Sequence, residues 1–193
     1  MDSETLEAVS LMQRCARGDE LALAALYDRW AGPVLSFVER MCRDRAQAED
    51  TVQETFVRVW RAAPRYEPTA KFSTWLFQIA RNAWLNEREK QLRRPVPMDL
   101  DAPDASAGSV PTPAAPPSGA PERLALDKEL GERIEAAVAK LPDKLREVWI
   151  LGAVQGLPYQ EVAAILEIPV GTVKSRMFQA VRLLRSDLEP YVA

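Results

Sequence analysis

A proline-rich stretch divides this chain before anything else is decided. Residues 95–121, PVPMDLDAPDASAGSVPTPAAPPSGAP, hold eight of the 15 prolines and three aspartates, with no Lys, Arg or aromatic residue. Proline removes a backbone donor and fixes φ, and the remaining small residues bury too little apolar surface to offset the entropy of ordering. The stretch therefore reads as an extended, mobile linker between two modules, residues 1–94 and 122–193.

Both modules read as helical, so the expected fold class is all-α: two small helical domains. Alternating β-branched runs with tight turns, the signature of strands, are missing. In the first module the pattern predicts a helix over 4–16. Asp19 caps the next helix, which carries Leu21, Leu23, Leu26, Tyr27 and Trp30. Gly32-Pro33 predicts a break, with Pro33 opening a further helix through Cys42. Asp44 and Gln47 form a capping-box pattern for a helix over 46–62, and Ser73 caps a long helix over 74–92. In the second module, helices are expected over 123–140, from an Asp143 cap through Leu151, over 158–166 and over 170–186.

Histidine is absent and cysteine occurs twice, at Cys15 and Cys42. That excludes a His-based triad, a His general base and any zinc site built on imidazole or four thiolates. No Gly-rich phosphate loop is present, and no cofactor or metal is expected. The two thiols read as buried groups of a reducing compartment, with a redox role as the minor alternative. No apolar run approaches a membrane span, and MDSETLEAVSLMQR lacks the charge and apolar pattern of a signal peptide. A cytoplasmic protein is expected.

Three segments carry recognition chemistry. The segment LPYQEVAAILEIPVGTVKSRMFQAVRLL has helix-turn-helix character. Val173, Met177, Ala180, Val181 and Leu184 are expected inward, leaving Lys174, Ser175, Phe178, Gln179 and Arg182 outward. Residues 170–186 hold four basic residues and no acidic one. Such a helix suits the major groove, with Arg176, Arg182 and Arg185 on phosphates; a solvated basic face is the plainer alternative. In helix 46–62, Ala48, Val52, Phe56, Val59 and Trp60 form the expected core face. Asp50, Gln53, Glu54, Val57 and Arg61 form a second face, either solvated or a docking face for a partner helix. From Arg58 to Arg94 there are nine basic residues against three acidic, interleaved with aromatic rings. Basic residues meet phosphates and rings accept unstacked bases, a combination suited to single-stranded nucleic acid. Trp75, Leu76, Ile79, Ala80 and Ala83 form a core stripe there, whereas Tyr66 is the ring that helical packing explains least.

AEDTVQETFVRVWR, FSTWLFQIARN, the proline-rich linker and GTVKSRMFQAVRLLR, in that order, resemble an extracytoplasmic-function (ECF) sigma factor of the bacterial sigma-70 family. The first two strings resemble the family's region 2, and residues 141–186 resemble region 4. The resemblance implies a non-enzymatic subunit that binds core RNA polymerase, recognises promoter DNA and opens it. Asp50, Gln53, Glu54 and Val57 would dock on the clamp helices of the largest polymerase subunit, and region 4 on the flap. Arg61, Arg65, Tyr66, Lys71, Arg81, Asn82 and Arg88 would hold the -10 element, with a flipped base near Arg65 and Tyr66. Lys174, Ser175, Arg176, Phe178, Gln179 and Arg182 would read the -35 element. Asp99, Asp101 and Asp104 of the linker would lie in the later RNA channel. An anti-sigma factor is an expected partner and the only expected route to a membrane. The chain departs from the family at Asn86 and Glu89, where Asp and Arg are common, at Gln179, where Arg is common, and at Pro158, which replaces a Ser cap. The alternatives are a helix-turn-helix regulator or a sigma-like decoy that binds an anti-sigma factor. The acidic net charge of -3 further predicts weak binding of the isolated chain to duplex DNA.

Overall fold

The computed structural model describes residues 3–93 and 121–192, and every element among them is helical. The expected linker, apart from Pro121, and its three aspartates lie outside the described residues.

The N-terminal unit comprises α1 (Ser3–Cys15), α2 (Glu20–Cys42), α3 (Arg45–Ala62), a 3-10 turn (Ala63–Arg65) and α4 (Phe72–Arg93). Gly18 at φ 85° ends the first turn, a conformation that favours a residue without Cβ. Asp19 then caps α2 by accepting from the amides of Leu21 and Ala22 at 3.1 and 3.3 Å. Arg14 also donates to Asp19 at 2.8 Å, and that hydrogen bond holds its carboxyl below the usual range. Asp44 caps α3 by accepting from the Gln47 amide at 3.0 Å.

Two helix starts in this unit differ from the sequence expectation. The break at Gly32-Pro33 does not occur: α2 runs unbroken for 23 residues. An interior proline costs about 3 kcal/mol. However, Ala22, Leu26, Trp30, Val34, Phe37 and Met41 form one buried stripe that spans the proline. Each fully buried large apolar side chain contributes about 1.5–3 kcal/mol, so packing outweighs the break. Likewise α4 starts at Phe72, and Ser73 sits inside its first turn, because the Lys71 carbonyl already accepts from the Trp75 amide at 3.2 Å.

The C-terminal unit comprises α5 (Pro121–Lys140), α6 (Asp143–Trp149), α7 (Tyr159–Leu166) and α8 (Val170–Val192). A π-helical turn, Ile150–Val154, extends α6. Pro142, not Asp143, occupies the cap position of α6; its carbonyl accepts from Leu145 and Arg146 at 2.8 and 2.9 Å. The Asp143 carboxylate turns instead to Arg88 and Arg146. Glu167 ends α7 in the left-handed region at φ 56°, and Ile168-Pro169 completes the turn into α8.

The two units are in contact. One apolar cluster includes Trp30, Phe37, Phe72 and Phe77 of the first and Val148, Ile150, Leu151, Val162 and Ile165 of the second. A smaller cluster, Ala137, Val138, Leu141, Leu145, Ala180 and Leu184, ties α5 and α6 to α8. Helix α7 packs on α4, and α6 packs on α2.

Candidate nucleic-acid and partner interfaces

Helix α8 anchors through Val173, Met177, Ala180 and Leu184, all buried. That stripe turns Lys174, Ser175, Phe178, Gln179 and Arg182 to solvent, while Arg176 is half-buried. Phe178 is 71% exposed, an unusual position for a large ring. Val181, expected inward, is 45% exposed. The inner stripe advances by four, three and four residues, and Val181 falls one residue past it. Phe178 and Val181 thus stand one turn apart on an apolar strip flanked by Lys174 and Arg182.

Helix α3 has the same two-faced plan. Ala48, Val52, Phe56 and Val59 are buried, and Trp60 is half-buried. Asp50, Gln53, Glu54 and Val57 are all exposed, so the structure brings these four together on one outer face. Arg58 donates to Glu54 at 2.8 Å, and that bond holds the Glu54 carboxyl below its ordinary range.

The residues expected to hold the -10 element are more dispersed. Arg61, Arg65 and Asn82 are exposed. Lys71, Arg81 and Arg88 meet carboxylates of the C-terminal unit. Lys71 Nζ lies 2.8 Å from Glu161, Arg88 lies 2.7 Å from Asp143, and Arg81 Nε donates to Glu147 at 3.0 Å. Arg81 Nη2 reaches the second Glu147 oxygen at 3.5 Å. The Arg88 guanidinium also lies 5.5 Å from the Trp84 ring centroid.

Tyr66 is half-buried, its ring 4.7 Å from Trp75 and 6.2 Å from Phe72. Its hydroxyl is buried without a hydrogen-bond partner among the described residues, and burial pushes its pKa up. The ring that helical packing explained least is thus part of an aromatic stack that continues through Phe72 to Trp30. Phe77 and Trp84, which the sequence left open between core and surface, are both core.

The sequence reading missed the acidic and buried polar residues of α6 and α7. Arg146 is 5% exposed and donates to the carbonyls of Ala139 and Leu141 at 2.9 and 2.6 Å. It also reaches Val138 at 3.3 Å and, across the units, Met41 at 3.5 Å. Burial lowers its pKa, but a guanidinium stays charged at any ordinary pH. It neutralises the orphan carbonyls at the end of α5, a stabilising place for a cation. Adjacent Glu147 is equally buried. An Arg-Glu pair inside the apolar run LREVWIL was the available signal. The cysteines are unremarkable: burial raises both thiol pKa values, and Cys42 Sγ donates to the Asp44 carbonyl at 3.1 Å. No group of three potential metal ligands occurs among the described residues, and no helix there is long and apolar enough to cross a membrane.

Residues 26–94 match sigma-70 region 2, and residues 131–184 match sigma-70 region 4. Over 98% of its length the chain is 35% identical to the ECF RNA polymerase sigma-E factor of Salmonella typhimurium, covering 98% of that protein. The chain is an ECF sigma factor. This sigma factor is equally similar to the sigma-E factor of Escherichia coli K12, and 32% identical to the RNA polymerase sigma-H factor of Pseudomonas aeruginosa over 93% of each chain. Among solved structures it resembles CnrH in complex with the cytosolic domain of CnrY. The TM-score is 0.67 with 25% identity, over 96% of this sigma factor and 99% of CnrH. It shares its fold with RpoE of Bartonella quintana, solved with the anti-sigma factor NepR, at a TM-score of 0.63 and 24% identity. That match covers 86% of this sigma factor and 97% of RpoE.

Proposed function

We propose that this sigma factor binds core RNA polymerase in the cytoplasm and directs it to promoters through -35 and -10 elements, without catalysing a reaction itself. Residues 1–94 act as the polymerase-binding and -10 module, 122–193 as the -35 module, and 95–121 as the connection. An anti-sigma factor is the proposed regulatory partner. The observation that carries the reading is that two helices of one family member each present a polar face opposite a buried stripe. The α3 face is acidic and the α8 face basic.

Each face suits a different partner. Asp50, Gln53, Glu54 and Val57 form an acidic surface around one apolar contact, the composition of a docking face for a basic helix pair. On α8, Lys174, Ser175 and Gln179 are short or flexible polar groups able to reach base edges, Phe178 suits a thymine methyl, and Arg176 and Arg182 suit phosphates. On the first module, Arg61, Arg65, Lys71, Arg81, Asn82 and Arg88 hold the opened strand. Unstacking a base costs a few kcal/mol. The Tyr66–Trp75–Phe72 stack offers ring faces to offset it once the Tyr66 ring turns aside.

Run-off transcription with purified bacterial core polymerase on genomic fragments tests the reading. A transcript that depends on this protein is expected, and its 5′ end places the two elements. Absence of both a transcript and co-elution with core polymerase would overturn the proposal.

A further inference from the structure

One face of α4 and the residue before it carries a polar stripe: Lys71, Thr74, Gln78, Arg81 and Arg88. The spacing is three, four, three and seven residues, which keeps all five on one side of a helix. Every one of them meets a carboxylate from the C-terminal unit. Glu161 takes Lys71 at 2.8 Å and the Thr74 hydroxyl at 3.1 Å. Glu167 accepts from Gln78 at 3.0 Å. Glu147 takes Arg81, and Asp143 takes Arg88.

We propose that these carboxylates form an intramolecular latch that stands in for DNA phosphates, so that Lys71, Arg81 and Arg88 of the free sigma factor are closed to the -10 strand until its two units separate. This rests on the assignment of Lys71, Arg81 and Arg88 to that strand. A carboxylate and a phosphate make the same charge-assisted contacts with Lys and Arg, and the two cannot share one guanidinium fork. The latch is graded along its length. At its centre the side chains of Arg81 and Glu147 are 19% and 7% exposed, so the pair is largely shielded from water and salt screens it less. At one end Arg88 and Asp143 are 46% and 43% exposed, and salt screens them.

A second seam holds the acids in register without using any -10 residue. Gln155 donates to the Pro33 carbonyl and Arg146 to the Met41 carbonyl, both on α2. Arg40 pairs with Glu135 at 2.7 Å. The acidic face of α3 and the outer face of α8 stay exposed in this closed arrangement. Polymerase can therefore engage the chain before the units part, and its binding energy is what offsets the loss of the shared apolar cluster.

The test uses the full chain and an isosteric double variant, Asp143→Asn with Glu161→Gln. Glu129→Gln with Asp187→Asn serves as a charge-matched control, because those carboxylates pair with Arg133 and Lys140 inside the C-terminal unit. Two quantities are read at low salt: affinity for fluorescein-labelled oligothymidylate by anisotropy, and radius of gyration by small-angle scattering. The latch variant should bind about tenfold tighter than wild type and control, and be more extended. Equal affinity and equal size in all three chains would refute the latch and leave the -10 assignment standing. Expansion without a gain in affinity would show that these cations are not DNA ligands, and both ideas would fall. A gain shared by the control, or seen without expansion, is bulk charge and equally overturns the latch.

Discussion

Helices α8 and α4 carry similar basic residues and differ in what lies against them. On α8, Lys174, Phe178 and Arg182 face solvent, opposite a stripe whose Ala180 and Leu184 pack on α5 and α6 of the same unit. On α4 and the residue before it, Arg81, Arg88 and Lys71 face carboxylates of the other unit. An exposed recognition face contributes little to stability, so its residues answer to function alone. A covered one is bound into the fold, and its residues serve two ends. If the proposed assignments hold, the isolated chain should present the -35 residues and withhold Lys71, Arg81 and Arg88 of the -10 set. That is a more specific reason to expect weak DNA binding than net charge.

The largest effect is expected at Arg146, which holds the end of α5 and touches α2. Arg146→Ala leaves several carbonyls without a donor and should cost about 3 kcal/mol or more, read from the urea midpoint. An unchanged midpoint would mean that the seam does not depend on it. Next comes Arg81→Ala. It strands Glu147 at 5% exposure and should cost about 2–3 kcal/mol in the same assay while also reducing transcription. A loss of transcription with no loss of stability would put α4 in the same class as α8 and erase the contrast.

Asp50→Ala with Glu54→Ala should weaken association with core polymerase about tenfold and leave the unfolding midpoint in place, since both groups are exposed. Phe178→Ala is its counterpart on α8. The ring is 71% exposed, so stability should move by less than about 0.5 kcal/mol. Transcription from a promoter that needs its -35 element should fall about fivefold. A large stability loss there would show that Phe178 packs against something in the free chain. The smallest effect concerns the thiols. Burial raises the pKa of Cys15 and Cys42, so the neutral thiol is favoured in the folded state. Their contribution is full below the unfolded thiol pKa of about 8.5 and declines as pH rises through the folded value. Alkylation at neutral pH should be slower than in the urea-unfolded chain; equal rates would contradict the burial of both.

Much of this protein is legible in its residues. Binary patterning placed seven of the eight described α-helices near where they lie and split the other at Pro33, because periodic apolar residues and caps such as Asp19 and Asp44 act within a few positions of themselves. The outward faces of α3 and α8 follow from the same local rule: once one stripe is buried, the opposite face must be wet. The rule failed at Pro33, where a buried stripe longer than either expected helix overrode a local breaker. It failed at Val181, where one residue of helical phase separates core from surface.

What only the tertiary structure decided is the partnership between units. The residue types in KFSTWLFQIAR show a basic surface suited to nucleic acid, and nothing local says that Lys71 and Arg81 meet acids 90 and 66 positions away. Glu161 carries no local sign of its partner, and the apolar run around Glu147 hints at burial without naming Arg81. Sequence periodicity reports which face of a helix is buried, since that depends on neighbours in the chain. Which charges are paired depends on how two folded units dock, and that is settled by their shared apolar cluster rather than by any residue alone.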